Sequence, residues 1–530
     1  MQLSRERMIA WQEWCFFTAV LFLPIQNSHW FSSLGFLFGN AERWSLFPLI
    51  AGMILGCFTQ YKYRNFAVYG RSFYIYVMIF YILALFSLVW GMYIFPWWDA
   101  DIFGKTKFLT KVFSFIATQQ LFFSEDIVRK IWFFVRSLRE LLTEFIYTFA
   151  IVYWIFCLFY KRCERAIFLT GKAICLDLLV MLPYAFVEIC YLRGAVWAEA
   201  MLSTINPFLY DVASSHNWWP PLLWEKQMRN LFAEPSYLGA WFAIVMPILW
   251  YHLIFRKNKP VVGIIICFIC YWIVFLTVAR TALCLAIGEI ILLLILSIWI
   301  WNKWIIVKAF EICLCFVLAF GVNLLFNSYK WNVSASSEKK ISENYINIEL
   351  SQNIKTYLDD NALSVASPTA RSNQARYSNI FAYLKTGMLS PVLGVGSTLV
   401  KAYLPDNFSP ESTSNPEIKT WITLQREQGF LSSSIPGSLC EYPVRFAEKG
   451  IMGLLIFLLP FGIAIYFLSY KIYTTRKTKQ SALPLCLWIA FSGGCMLGFS
   501  ISLNLVFGFW ILFGMVICCG TECINTKTTF

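Results

Sequence analysis

The sequence predicts an all-α, polytopic integral membrane protein with about 12 transmembrane helices and one large extracytoplasmic loop. Three observations carry that reading. Of 530 residues, 59% are hydrophobic and 14% charged, and the mean hydropathy is +0.61. Apolar runs of ~18 or more residues recur from end to end, each long enough to cross a bilayer as a helix. These runs do not alternate polar and apolar every second residue, which excludes a transmembrane β-barrel. The net charge of +13 sits mostly in short loops. That is the positive-inside pattern and not the footprint of a nucleic-acid binder.

Arg5 and Arg7 against the single Glu6 put the N-terminus in the cytoplasm. The first span is expected over 9–27, and the second, over 44–59, ends inside at Lys62 and Arg64. The third covers 70–95. Asp99, Asp101 and an amphipathic stretch through Arg139 follow outside, where Arg129, Lys130 and Arg136 alternate with aromatics. A re-entrant or additional helix stays open for that stretch.

Spans over 141–160 and 168–192 flank the basic turn of Lys161, Arg162 and Arg165. An outer loop over 193–234 holds Trp218, Trp219 and Trp224. Spans over 236–255, 261–279, 282–301 and 304–326 follow, with Arg256, Lys257, Lys259 and Lys303 at inner turns. The one large polar segment, 327–449, is rich in Ser, Asn, Asp and Pro. It divides residues 1–326 from a final set of spans over 450–470, 481–501 and 503–520, with a cytoplasmic C-terminus at 530. Both termini then lie inside, and the short basic loops fall on one side.

The composition offers little for metals. Its 17 cysteines lie almost all in apolar segments, as small buried hydrophobes do, with Cys440 the exception at a polar position. The three histidines, His29, His216 and His252, are too scattered for a metal cluster. No metal and no cofactor is called for.

Four stretches place polar groups where loops enter apolar helices. Arg229 to Gly239 sets an arginine, Glu234 and a helix-starting Pro235 at a membrane boundary, with Tyr237 one turn in. Glu234 beside a helix N-terminus reads either as a cap and anchor or as a base for a sugar hydroxyl. Arg280, between two strongly apolar runs, either snorkels to the headgroups or binds phosphate in bidentate fashion. Arg371 to Gly396 reads as a surface helix, containing Arg376, followed by a glycine turn at Gly394 and Gly396. Glu441 to Gly453, with Arg445, opens the tenth span. Trp218 and Trp219 fit an interfacial aromatic belt and equally fit stacking on sugar faces.

Taken in order, these stretches resemble the bacterial O-antigen polymerase and ligase superfamily. The resemblance rests on Phe232-Ala-Glu234-Pro-Ser-Tyr-Leu-Gly239, on Thr277-Val-Ala-Arg280-Thr281, on Arg376 leading to Pro391-Val-Leu-Gly394-Val-Gly396, and on Phe446-Ala-Glu448-Lys-Gly450-Ile-Met-Gly453. It covers roughly residues 229–520, and Arg371 with Gly387 fits the family's Arg-x15-Gly spacing. It implies a GT-C-like glycosyltransferase acting on an undecaprenyl-diphosphate-linked oligosaccharide at the outer face of the bacterial inner membrane. The large loop would be periplasmic. Family ligases place a His before the tenth span; here Leu439-Cys440 stand at that spacing, so the resemblance implies a polymerase of O-antigen or capsule units. Transfer of glycan to lipid A–core is the alternative. The implied partners are the lipid-linked oligosaccharide, membrane lipids and a chain-length regulator.

On that reading Glu234, then Glu441, takes the proton, and Arg280 is catalytic. Arg229, Arg371, Arg376, Arg445, Trp218, Trp219 and Tyr237 bind substrate. A flippase or transporter would instead use ionisable residues within helices, for which Lys172, Asp177, Glu188, Glu289 and Glu311 are the candidates. A metal-dependent transferase would use Asp99 and Asp101. If Arg280 steadies the leaving group, Arg280→Ala lowers the rate by ~10²-fold or more. A normal polysaccharide ladder on a gel, at normal protein level, would count against that role.

Overall fold

In the computed structural model the described residues are 4–26, 28, 43–63, 71–98, 104, 107–119, 124–209, 227–257, 260–328, 371–431, 435–436 and 439–525. All regular structure among them is helical. The helices are α1 (Arg5–Leu21), α2 (Leu46–Tyr63), α3 (Arg71–Ile94), α4 (Lys107–Thr118), α5 (Glu125–Phe145), α6 (Ile151–Phe159), α7 (Cys163–Leu192) and α8 (Val196–Leu209). They continue with α9 (Pro235–Leu249), α10 (Val261–Leu276), α11 (Arg280–Ile300) and α12 (Lys303–Ser328). In the polar segment lie α13 (Arg371–Gly387), α14 (Val400–Asn407) and α15 (Pro416–Gln428), followed by α16 (Tyr442–Thr475), α17 (Ala482–Leu497) and α18 (Phe507–Asn525).

Eight helices among the described residues are long and apolar enough to cross a membrane, and two shorter apolar helices, Val261–Leu276 and Phe507–Thr521, accompany them. Residues such as Ile75, Met78, Ile82, Phe86 and Val89 leave one face of α3 exposed and wholly apolar. Such a face needs hydrocarbon as its solvent. The chain is therefore a helical membrane protein.

Two stretches differ from the sequence expectation. The region expected as an outer amphipathic stretch and then a span over 141–160 is one 34-residue rod, Asp126–Phe159. A π-type turn at Ile146–Ala150 joins α5 to α6 within it. The repeated charges of the first half depress local hydropathy, so the pattern hides a helix that continues without a break. In the loop over 193–234, α8 forms where no helix was expected.

Small residues let the bundle close. A methyl group on Gly239 would come 2.2 Å from Cβ of Ala282, so the first turns of α9 and α11 lie against each other. Gly52 and Gly56 of α2 make room for Trp154, whose Nε1 donates to Gln12. Around Phe461, Phe491, Phe509, Trp510 and Phe513 the rings pack edge to face or stacked.

The described residues of 371–449 in the polar segment fold into a lobe with a hydrophobic cluster of its own. That cluster joins Ala382, Tyr383, Leu399, Leu404, Ile418 and Phe430 to Leu88 and Phe95 near the end of α3 and to Phe133 of α5. Asn415 caps α15 by accepting from Glu417 N at 3.0 Å, with Pro416 at the first position. Cys440, at a polar position in the sequence, is buried in this cluster, and burial pushes its thiol up to about 12.

Two of the sequence motifs interlock through their backbones. Helix α16 breaks at Gly450, whose φ of 65° lies in the left-handed region. The glycine turn 391–396 docks into that break: Val395 N donates to Ala447 O, Gly396 N to Glu448 O and Ile451 N to Pro391 O, at 2.8–3.0 Å. Ser87 Oγ of α3 donates to both Leu393 O and Glu448 O, at 2.6 and 2.8 Å. A Cβ on Gly450 would lie 2.2 Å from the Val392 carbonyl. Gly450→Ala, strained in φ and clashing with backbone, is expected to destabilise the protein by ~2–3 kcal/mol. A melting temperature in detergent within a degree of wild type would refute this account of the turn.

Candidate functional site

At the seam between bundle and lobe lies a cavity of about 190 Å³, lined by Glu140, Leu141, Glu144, Ser397, Glu441, Val444, Arg445, Glu448, Ser502 and Asn504. Its chemistry follows from helical spacing. Glu140 and Glu144 are four apart on α5, while Glu441, Arg445 and Lys449 follow at intervals of four along the start of α16, so each set shares a face.

Arg445 is 3% exposed as a side chain and Lys449 2%. Charges that deep persist only when paired. Arg445 donates through Nε to Glu441 Oε1 at 2.5 Å, through Nη1 to Glu144 Oε1, and through Nη2 to Asn504 Oδ1 at 3.0 Å. Lys449 Nζ donates to Glu144 Oε2 at 3.2 Å. The aromatic faces of Phe457 and Phe80 lie under the two cations at 4.6 and 5.0 Å.

The carboxylates are not equally engaged. Glu441 Oε2 also accepts from Ser502 Oγ and Leu503 N, both at 2.9 Å, so each of its oxygens is occupied. Glu140 takes Thr398 Oγ1 and, at 3.4 Å, Arg136 Nε. Glu448 has the loosest partner of the four, Ser397 Oγ at 3.5 Å from Oε2.

A second cavity is a narrow apolar slot of about 50 Å³ among α1, α7, α9 and α18. Val20, Leu23, Ile174, Trp241, Ile244 and Ile248 are among its walls, and Arg43, Gln26 and Tyr237 also line it. From Tyr237 to Ile248 it follows α9 for about 16 Å. Glu234, Arg43 and Arg376 all lie within electrostatic reach of the Tyr237 hydroxyl, and the Arg43 guanidinium sits 5.6 Å from the centre of the Phe507 ring. One turn separates the two cavities: Ser502 and Asn504 face the polar one, and Ile501 and Val506 the apolar one.

The structure thus brings Glu234, Tyr237 and Arg376 together, and separately Glu441 and Arg445. Arg280 opens α11, half-buried, beside the first turns of α9. Arg229 is 1% exposed and lines neither cavity. It lies within electrostatic reach of Glu188, whose carboxylate accepts the Asn230 backbone N–H at 2.9 Å, so this segment is docked onto α7. Arg371 and Gly387 are the first and last residues of α13. The Arg371 side chain lies outside the described residues, as do Trp218, Trp219, Asp99 and Asp101.

Sequence reasoning passed over Arg43, Glu140, Glu144, Lys449 and Asn504. The i, i+4 carboxylates on α5 and the i, i+4, i+8 charges on α16 are the signal that was available for most of them. No group of His, Cys, Asp and Glu able to hold a metal occurs among the described residues.

Fold and cavities together define a polytopic helical membrane protein with two adjoining cavities, one polar and acid-rich, the other apolar and lined by a single arginine, Arg43. No family model, curated protein or solved structure matches the chain. Removing the carboxylate shared by both buried cations takes from Lys449 the carboxylate it is hydrogen-bonded to and leaves Arg445 with Glu441 alone. Glu144→Ala is therefore expected to cost about 3–5 kcal/mol, seen as a large drop in melting temperature in detergent. A wild-type melting curve would contradict the pairing.

Proposed function

We propose that the protein is a membrane glycosyltransferase that polymerises undecaprenyl-diphosphate-linked repeat units into O-antigen or capsular polysaccharide. It would act at the outer face of the inner membrane, with twelve spans, a GT-C-like arrangement and a periplasmic lobe. The observation that supports this reading best is the apolar slot lined by Arg43 and Tyr237, with Arg376 within electrostatic reach of that tyrosine. A lipid diphosphate has an apolar tail and a doubly anionic head, which apolar walls and the Arg43 guanidinium among them would suit. Arg43 and Arg376, with Arg280 beside the start of α9, would hold the diphosphate and neutralise it as the anomeric bond breaks. Tyr237 would donate to a phosphate oxygen, and Glu234 would orient the arginines from the same end of α9. The leaving group is a stable anion, so the reading needs no metal.

A transporter is the second reading. Its support is a pair of carboxylates inside spanning helices, Asp177 of α7 and Glu289 of α11. Both are buried, each with one oxygen lacking a hydrogen-bond partner. Glu188 and Glu311, by contrast, are engaged by Asn230 and Lys308.

The glycan of a deletion strain separates the readings. The expected outcome is single repeats capping the lipid core, with lipid-linked units accumulating at the outer face. A core with no glycan would indicate a ligase, and precursor trapped at the inner face a flippase. Arg376→Ala and Arg43→Ala should each shorten the polymer, with transfer down by ~10²-fold if the cation acts in the transition state. Full-length polymer from both variants at normal protein level would remove the diphosphate site from the slot.

A further inference from the structure

The polar cavity at the seam has a sign that decides its ligand. Glu140, Glu144, Glu441 and Glu448 line or border it, against Arg445 and Lys449, and both cations are already held by carboxylates. An anion brought there would face surplus negative charge, whereas a neutral polyhydroxylated ligand would meet hydrogen-bond acceptors and the hydroxyls of Ser397 and Ser502. The volume of about 190 Å³ is far more than one water needs.

We propose that this cavity is the acceptor subsite, that it takes a neutral sugar residue, and that Glu448 is the group that removes the proton from the attacking hydroxyl. The proposal rests on the transferase reading above and names its second half. Glu441 and Glu144 cannot easily fill this role, because their oxygens already serve Arg445, Lys449, Ser502 and Leu503. Glu448 has one long bond from Ser397 and only partial burial, which leaves acceptor capacity directed at the cavity. Its backbone is held by two hydrogen bonds, from Ser87 Oγ and Gly396 N to its carbonyl, and is packed so closely against Gly394 that a Cβ there would lie 2.3 Å from the same carbonyl. A base held this firmly can be aimed.

The step balances between the two substrates and the Glu448 carboxylate. The acceptor hydroxyl gives its proton to a Glu448 carboxylate oxygen, and its oxygen forms the new bond to the anomeric carbon. The bond from that carbon to the lipid diphosphate breaks, and its electron pair leaves on the phosphate oxygen near Arg43 and Arg376. The turn 501–506, which faces both cavities, is where the two substrates would meet.

The test uses the full-length protein and lipid-linked glycan extracted from deletion-strain membranes. Glu448→Gln keeps the side chain's size and is expected to lower kcat by ~10²–10⁴-fold, with KM within a few-fold of wild type and the carboxylate-dependent limb of the pH–rate profile gone. Ser397→Ala, a smaller change in the same wall, is expected to raise KM for the glycan chiefly. Polymer formed at the wild-type rate by Glu448→Gln, or a KM unchanged in Ser397→Ala together with a full pH–rate profile in Glu448→Gln, would overturn the assignment. A deletion strain with normal polysaccharide would instead sink the transferase reading itself, and so the two failures are told apart.

Discussion

Two cations buried side by side, Arg445 and Lys449, set the constraint on which the rest of the architecture depends. Withdrawing a guanidinium and an ammonium from water is recovered only by well-placed carboxylates and dipoles. Glu144 supplies the shared partner, so α5 must cross the start of α16 at one register and no other. Glu441 closes the network on the same helix and is itself tied to the turn that carries Ser502 and Leu503. The π-type turn begins two residues after Glu144. Such a turn shifts the phase of a helix and is often found where a side chain must be aimed. One ion network thus fixes three segments against each other.

The glycine interlock does the same for the lobe. Gly394, Gly396 and Gly450 all have positive φ, and each sits where two backbones approach within contact distance. Side chains cannot enter that gap, so peptide groups pair directly across it, and Ser87 binds both strands of the contact from α3. The lobe is consequently not a pendant loop. Its core includes residues of α3 and α5, and its glycine turn splints the break in α16.

The two cavities differ in the way that matters for binding. One is an apolar slot with a single arginine, Arg43, in its lining; the other has carboxylates around hydroxyl and amide groups. They share a single turn, with polar residues on one side and apolar residues on the other. An anionic head on a long tail and a neutral polar group would sort between them by charge and desolvation alone.

Much of the fold was legible in the chain. Each apolar stretch expected as a span is helical, because a run of apolar side chains long enough to reach across hydrocarbon has no other way to satisfy its backbone. The glycine turn after Arg376 was also legible, since Gly394 and Gly396 announce backbone that other residues avoid. The long rod over Asp126–Phe159 was not, because Arg129, Lys130, Arg136 and Arg139 read as an outer amphipathic stretch ahead of a span beginning at 141. The sites divide the same way. The sequence by itself determined which polar residues stand at helix ends: Glu234, Arg280, Glu441 and Arg445. Only the tertiary structure decided which of them are engaged and which face a cavity. The physical reason is distance along the chain: Glu144 meets Arg445 across 301 residues, and Arg229 is answered by Glu188 on another helix. Hydropathy and periodicity are local properties, whereas charge compensation is set by whatever the packing brings within a few ångströms.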